Sequence, residues 1–314
     1  MTKAVAGLSF ATVLTLAACS SGGSDTSAVR ASDGALTVVA STNVWGSVAQ
    51  AVAGDRIIVT SIVSEPFADP HSFEATPSDA AKLTDASLIV YNGGGYDGFV
   101  DDVIGSGGGH QLTVNAYDLH QDGGHEDDAD SHDDGHGHGQ ENEHVWFDVD
   151  TVDATAQAIA DKLGELDPDN AGTYQANADA FQDQLEQVSA VTDTIAAAHP
   201  NAPVAQTEPI ADYLLQSADL VDLTPADFAS AVENGTDPSP ASIAAMRQLL
   251  TDREAQVLIY NVQTQDNVTQ DVRATADSAG IPVVEVTETL PEGLDYIQWV
   301  TDTADALAAA LQPN

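Results

Sequence analysis

The sequence predicts an α/β protein of two lobes, each with a parallel sheet, joined by one long, rigid helix. Three observations support this fold class. Short apolar runs of strand length alternate with helical segments, which is the pattern of βαβ units. One much longer helical pattern interrupts the alternation, which then resumes. The chain has 314 residues, 43% of them hydrophobic, which is enough for two domains with buried cores.

The first residues predict export. The apolar run Ala4–Ala18 follows Lys3; it is too short to span a membrane and is typical of a signal peptide. The run leads into LAAC, which resembles the bacterial lipoprotein processing box and implies a lipid on the thiol of Cys19, the only cysteine. We therefore expect a signal peptide over 1–18 and a polar, lipid-anchored tether over 19–34.

Residues 35–166 are predicted to form the N-terminal lobe. Its apolar runs contain many β-branched residues, and helical patterns separate them. Strands connected through helices are expected to run parallel. The predicted strands are Ala35–Ala40, Arg56–Val63 and Ser87–Tyr91, with helices over Asn43–Ala53 and from Thr76 onward.

Residues 120–143 break this alternation. The stretch is acidic and rich in histidine, and its one apolar residue is Ala129. This composition predicts a mobile loop inserted into the first lobe. Such a loop could hold zinc weakly and in many ways, but a solvated linker with no metal role is the alternative. The candidate auxiliary ligands are His120, His125, His132, His136 and His138.

Residues 167–200 are predicted to form the connecting helix. Apolar residues recur every three or four positions from Tyr174 to Ile195. A helix of about 30 residues would be roughly 45 Å long, sufficient to lie along both lobes.

Residues 201–314 are the predicted C-terminal lobe. Its predicted strands are Ala202–Gln206, Val257–Asn261 and Pro282–Val286, and its helices are Ser239–Leu250, Gln265–Ala279 and Tyr296–Leu311.

The charge of the chain excludes one class of partner. Fifty Asp and Glu residues against eight Lys and Arg residues give a formal net charge of −42. Such a surface repels phosphate backbones, so nucleic acid is not an expected partner. Most of these carboxylates are expected to keep the surface soluble. The charge alone does not indicate a metal site.

Two segments place histidines where ligands are expected. His71 lies in DPHSFEATPSD, after a predicted strand and before a helix N-terminus, and loops after strand ends present ligands in α/β sheets. His144 lies in EHVWFD, at the start of an aromatic run. Taken singly, each histidine is also compatible with a structural role. No nucleophile elbow, phosphate loop, dinucleotide fingerprint or HExxH motif is apparent.

Together, the two segments resemble the solute-binding proteins of zinc and manganese ABC importers, the cluster A-I family, also called solute-binding protein family 9. The resemblance covers nearly the whole chain. It implies a metal ion in the cleft between the lobes, bound by His71 and His144 from the first lobe and by Glu208 and Glu288 from the second. Zinc importers often have histidine in place of Glu208, and the family usually has aspartate in place of Glu288.

These four candidate ligands are chemically consistent with a divalent cation. Two neutral imidazoles and two carboxylates balance a double positive charge, so a buried site would carry no net charge. Imidazole suits zinc, whereas carboxylates also suit manganese. The His-rich loop and the usual order of affinities favour Zn²⁺, and Glu208 favours Mn²⁺.

The resemblance implies a binding protein and no enzyme. We expect an extracytoplasmic monomer, anchored to the membrane by lipid, that delivers zinc or manganese to a permease and its ATPase. A rigid connecting helix predicts small lobe movements. The alternatives are a secreted zinc hydrolase, which would need an open coordination position and a general base, and a surface adhesin of the same fold.

Overall fold

Two four-stranded parallel sheets lie at the centre of the fold, one in each lobe. The computed structural model describes residues 36–65, 71, 73–106, 111–122 and 142–312. The strands are β1 (Val38–Thr42), β2 (Val59–Val63), β3 (Leu88–Tyr91), β4 (Leu112–Asn115), β5 (Ala202–Gln206), β6 (Leu220–Asp222), β7 (Leu258–Asn261) and β8 (Val283–Val286). The first sheet has the order β2-β1-β3-β4 and the second β6-β5-β7-β8, so both lobes share one topology.

Helices connect the strands and cover the sheets. Every residue of β1, β3 and β7 is buried, as expected for the central strands of a parallel sheet covered on both faces. The helices are α1 (Asn43–Ala53), α2 (Pro77–Asp85), α3 (Gly98–Ser106), α4 (Ala116–Asp122), α5 (Val149–Leu166), α6 (Ala171–Ala198), α7 (Asp212–Ser217), α8 (Ala226–Glu233), α9 (Pro240–Thr251), α10 (Asn267–Ala279) and α11 (Tyr296–Ala310).

The predicted start of α2 is confirmed in detail. The Thr76 side chain accepts a hydrogen bond from the backbone of Asp79, whose carboxylate accepts one from the backbone of Thr76. This capping box satisfies amides that the first helical turn leaves unpaired. Pro77 follows at the first helical position, where its missing N–H costs nothing.

The long helix is α6, preceded by a 3₁₀ turn over Pro168–Asn170. Its 28 residues correspond to a length of about 42 Å. It packs against α1 and α5 of the first lobe and against α7 and α11 of the second. Its buried face consists of Tyr174, Ala178, Phe181, Leu185, Val188, Thr192 and Ile195. The predicted connecting helix is thus confirmed.

Direct bonds between the lobes supplement α6. The Asn43 side chain donates to the carbonyl of Leu290 (3.1 Å) and accepts from its N–H (2.9 Å). The hydroxyl of Tyr296 donates to the carbonyl of Trp146 (2.7 Å). Residues 36–314 accordingly form one compact unit, and one apolar core extends through both lobes.

Several elements differ from the prediction. The run predicted as a strand from Arg56 begins as a 3₁₀ turn over Gly54–Arg56, and β2 starts only at Val59. His120 lies in α4 and not in a loop. This helix packs against α5, and the His120 ring contacts Asp148, the residue before α5. The predicted signal peptide, Cys19, the tether and the loop residues His125, His132, His136 and His138 lie outside the described residues.

No helix within the described ranges has the length and apolarity that a membrane span requires.

Candidate metal centre

Three of the four predicted ligands lie in segments that follow the carboxyl end of a strand. His71 follows β2, and His144 immediately precedes a 3₁₀ turn over Val145–Phe147 that leads into α5. Glu208 follows β5 and Glu288 follows β8. In open α/β sheets the crevice beyond the carboxyl ends of the strands is where ligands bind.

The rings of the two histidines are arranged edge to face, with centroids 6.0 Å apart. The side chain of His71 is 26% exposed and that of His144 is fully buried. His71 directs Nδ1 towards the carboxylate of Glu143 (3.8 Å) and Nε2 towards that of Glu288 (3.6 Å). One of its nitrogens therefore points at another predicted ligand.

Asn142 fixes the orientation and tautomer of His144. The amide nitrogen of Asn142 donates to the carbonyl of Pro209 (2.6 Å), which identifies the other amide atom as the oxygen. That oxygen lies 2.6 Å from Nδ1 of His144 and also accepts from the His144 backbone N–H. Because an amide oxygen only accepts, Nδ1 carries the proton and Nε2 carries the lone pair.

The lone pair of His144 is available to a cation. Burial lowers the pKa of His144 well below its usual value, and the nearby His71 lowers it further. Its Nε2 atom is buried and has no hydrogen-bond partner among the described residues. A neutral imidazole with a buried, free lone pair is the form in which histidine binds metals.

Glu208 and Glu288 are nearly fully buried, at 2% and 1% exposure, and Asn261 at the end of β7 joins them. The Asn261 amide nitrogen donates to one oxygen of Glu208 and to one of Glu288 (2.7 Å). Thr264 donates to the same oxygen of Glu208 (2.7 Å), and Tyr96 donates to the second oxygen of Glu288 (3.2 Å). These hydrogen bonds fix the orientation of both carboxylates.

The structure adds Glu233, the last residue of α8, which the sequence patterns do not single out. Its Oε1 atom lies 3.8 Å from Nε2 of His144. One donor atom from each of His71, His144 and Glu233 lies within 4.8 Å of the other two. No motif separates Glu233 from the other acidic residues, so the signal lies only in these distances.

The environment of Glu233 is unfavourable to a bare carboxylate. Burial raises its pKa to about 9, and the negative charges of Glu208, Glu143, Glu288 and Asp212 add to the rise. Both of its oxygens are buried without a hydrogen-bond partner in the described part of the chain. A divalent cation at this point would offset both effects.

A cavity of about 410 Å³ lies beside these groups. His71, Glu208 and Glu233 line it, together with Thr264 and the turn over residues 234–237. Imidazole nitrogens and carboxylate oxygens are donors that divalent transition metals take in proteins. Two donor atoms that each lie about 2.1 Å from an ion are no more than about 4.2 Å apart. The donor atoms of His71, His144 and Glu233 lie within 4.8 Å of one another, so they need to move only slightly closer to bind one ion.

His120 has a different setting from the one predicted. Its Nδ1 atom lies 2.9 Å from a carboxylate oxygen of Asp148 and 3.0 Å from the Thr151 hydroxyl. Its ring packs edge-on against Tyr213 of the second lobe, with 4.8 Å between centroids. These contacts fix the ring between α5 and the second lobe, so His120 is not part of an unstructured metal-binding loop.

Comparison with known proteins shows which families and proteins this chain is similar to. Residues 38–310 match the family described as zinc-uptake complex component A, periplasmic. The chain is 30% identical over 182 residues to the manganese-binding lipoprotein MntA of Halalkalibacterium halodurans, an alignment that covers 56% of this chain and 54% of MntA. It is 25% identical over 264 residues to the metal ABC transporter substrate-binding lipoprotein SloC of Streptococcus mutans, covering 81% of each.

The chain thus spans about half of the length of MntA. Among solved structures, the periplasmic zinc-binding protein TroA of Treponema pallidum has the same fold, with a TM-score of 0.73 and 19% identity. That match covers 89% of this chain and 100% of TroA. Two lobes with parallel sheets and a long helix are therefore confirmed as the fold.

Proposed function

Because the chain belongs to the family of periplasmic zinc-uptake complex component A, we propose that it captures one divalent transition metal ion for an ABC importer. The observation that supports this proposal is that donor atoms of His71, His144 and Glu233, from both lobes, lie within 4.8 Å of one another beside one cavity. A binding protein needs a site that ligates its cargo and can release it, and the cargo is not chemically transformed.

The proposed ligands are His71 and His144 from the first lobe and Glu208 and Glu288 from the second. The 3.6 Å separation of His71 and Glu288 supports a site between the lobes, as does the free Nε2 atom of His144. Two carboxylates and two neutral imidazoles would neutralise the cation in this buried position. Metal capture would therefore join the lobes more firmly.

The proposed cargo is Zn²⁺, with Mn²⁺ as the alternative. The family description names zinc uptake, and imidazole-containing sites bind zinc more tightly than manganese in the usual order of affinities. Glu208 and the name of the relative MntA favour manganese. A direct competition between the two ions will decide between them.

The proposed partners are a permease and its ATPase, with the chain acting outside the cytoplasm as a lipid-anchored monomer. This follows from the description of SloC as an ABC transporter lipoprotein and from the lipoprotein-like sequence at Cys19. The family membership favours binding over hydrolysis as the function. The adhesin alternative stays a hypothesis that a cell-attachment assay with a deletion strain would test.

The decisive experiment measures metal binding by the purified full chain carrying Cys19→Ala. After treatment with a chelator, this protein is expected to bind one equivalent of Zn²⁺ tightly, and His144→Ala is expected to abolish that binding because a buried ligand is lost. Deletion of residues 123–141 should leave the tight site intact.

The matched control is His199→Ala, since His199 lies beyond the end of α6 and lines a separate cavity. Loss of tight binding in the loop deletion with normal binding in His144→Ala would contradict the proposed site. Tighter binding of Mn²⁺ than of Zn²⁺ by the unsubstituted site would contradict the proposed cargo, and Glu208→His should then shift the preference back towards zinc.

A further inference from the structure

Glu233 stands apart from the other acidic residues near the cavity. Among the described residues it is the one carboxylate with both oxygens buried and without a hydrogen-bond partner. Its one ion-pair contact within these ranges is with Nε2 of His144, at 3.8 Å. No lysine or arginine of the described part of the chain lies within 4.0 Å of it.

A carboxyl group that leaves water without gaining hydrogen bonds or an opposite charge is destabilising. A buried carboxyl group of this kind is therefore expected to have a function that offsets its cost to stability. The nearest unsatisfied atom is Nε2 of His144, a pure acceptor because Asn142 accepts the proton of Nδ1. At 3.8 Å the two atoms are too far apart to hydrogen-bond to each other, but a cation between them would satisfy both.

We propose that Glu233 is itself a metal ligand, a third carboxylate from the second lobe that completes the site together with His71 and His144. This inference rests on the proposed function, because it assumes that a divalent cation enters the cavity. Its geometric basis is the set of donor atoms from these three residues, all within 4.8 Å of one another.

The hydrogen bonds of the other carboxylates support a distinct role for Glu233. Glu208 accepts from Asn261 and Thr264, and Glu288 accepts from Asn261 and Tyr96. Those two side chains are held in place before any ion arrives. Glu233 has no such donors among the described residues and borders the cavity at the end of α8, so its carboxylate is free to turn onto the ion.

A third carboxylate changes the chemistry of the site. Two imidazoles and three carboxylates supply at least five donors, one more than the tetrahedral set that Zn²⁺ prefers in structural sites. Oxygen-rich sets of higher coordination number suit Mn²⁺ better. Glu233 is therefore expected to contribute to manganese binding more than to zinc binding.

Ligation by Glu233 would also connect α8 to the ion. The turn over residues 234–237 lines the same cavity directly after Glu233. Metal binding should then protect the backbone amides of α8 and this turn from hydrogen exchange. That effect would be lost when residue 233 cannot coordinate.

The test compares Glu233→Gln and Glu233→Asp with the unsubstituted full chain, all carrying Cys19→Ala. Zn²⁺ and Mn²⁺ are each added alone to metal-free protein, and affinity is measured by competition with a chelating dye. Glu233→Gln is expected to weaken Zn²⁺ binding about tenfold and Mn²⁺ binding by more. X-ray absorption of the zinc-loaded proteins should show one oxygen ligand fewer in the Gln variant.

The matched control is Glu254→Gln, because Glu254 is exposed and lies in the turn after α9. Circular dichroism checks folding of every variant. If Glu233→Gln does not fold, Glu233→Asp and the ligand count of the unsubstituted protein decide the question. Four or fewer ligands in that protein, or unchanged affinities for both ions in Glu233→Gln, would overturn the role of Glu233.

The His144→Ala variant separates this inference from the proposed function. If His144→Ala loses binding while Glu233→Gln binds both ions normally, the metal site stands and Glu233 is no ligand. If His144→Ala also binds normally, the proposed function fails, and this inference fails with it.

Discussion

At the scale of single residues, Asn142 connects the two halves of the site. It orients His144 through its amide oxygen and bonds the carbonyl of Pro209, the neighbour of Glu208, through its amide nitrogen. Tyr213 of the second lobe also donates to the Asn142 carbonyl (2.8 Å). A change at Asn142 therefore affects a proposed ligand from each lobe.

We expect Asn142→Ala to lower metal affinity by about 10- to 100-fold, the usual cost of losing the partner that orients a ligating histidine. Without the acceptor at Nδ1, the imidazole can turn or change tautomer, and Nε2 no longer presents its lone pair. Asn142→Asp retains an acceptor and should keep more of the affinity. A chelator competition with Zn²⁺ measures both.

Gln248→Ala serves as the control for this pair, since Gln248 lies exposed on α9 and bonds only locally, to Asp252. Equal affinities for Asn142→Ala and Asn142→Asp would show that the acceptor at Nδ1 has no role.

The sequence predicts His71 and His144 as ligands because each lies in a recognisable segment, DPHSFE for His71 and EHVWFD for His144. It could not identify Glu233 or Asn142. Glu233 is one of 50 acidic residues, and its significance depends on distances across the fold. Asn142 falls within the low-complexity stretch 120–143, whose composition does not distinguish one polar residue from the next.

At the scale of elements, the length of a helix or strand determines whether the sequence pattern predicts it. The register of α6 was predictable because seven buried positions recur along 28 residues. The strand β6 has three residues and α7 has six, too few for a period to stand out. These short elements nevertheless contact the strand that precedes Glu208. Asp212 of α7 and Asp222 of β6 both accept hydrogen bonds from Gln206, the last residue of β5.

Asp212 provides a prediction for pH dependence. Burial raises its pKa to about 6, the hydrogen bond from Gln206 opposes the rise, and the charge of Asp222 adds to it. The unfolded chain has the ordinary, lower pKa, so the folded state binds more protons between about pH 4 and 6. Stability is therefore lost as pH rises through this window.

Asp212→Asn should remove this loss, because the amide oxygen keeps the acceptor for Gln206 and carries no charge. We expect the variant to be more stable than the unsubstituted metal-free chain by about 1–3 kcal/mol at pH 7.5 and by little at pH 4. Urea unfolding at both values measures this difference. Asp302→Asn, exposed on α11, is the control. An equal gain at both values would contradict ionisation of buried Asp212 as the cause.

At the scale of the whole molecule, the lobes are joined by more than the connecting helix. Besides α6, the paired hydrogen bonds of Asn43 with Leu290, the bond from Tyr296 to Trp146 and the contact of Phe147 with Trp299 (5.2 Å between rings) join the first lobe to the second. The shared apolar core would have to be exposed if the lobes opened widely. These contacts support the prediction that the lobes move little.

This rigidity can be measured with spin labels at Asp161→Cys on α5 and Ala244→Cys on α9, both exposed positions, in a chain carrying Cys19→Ala. We expect the mean distance between the labels to change by less than about 2 Å when Zn²⁺ binds, below the range of hinge closures. Adding Asn43→Ala should broaden the distance distribution of the metal-free protein, because both hydrogen bonds to Leu290 are lost.

Asn43→Ala should also lower the free energy of unfolding by about 1–3 kcal/mol. The comparison variant is Asn177→Ala, which removes one bond from α6 to the carbonyl of Val52 (2.9 Å) and leaves the Asn43–Leu290 bonds intact. It should reduce stability without broadening the distances. A zinc-dependent change of many ångströms in the unsubstituted chain would show that the lobes move as hinged bodies, so capture would depend on closure and not on a site formed in advance.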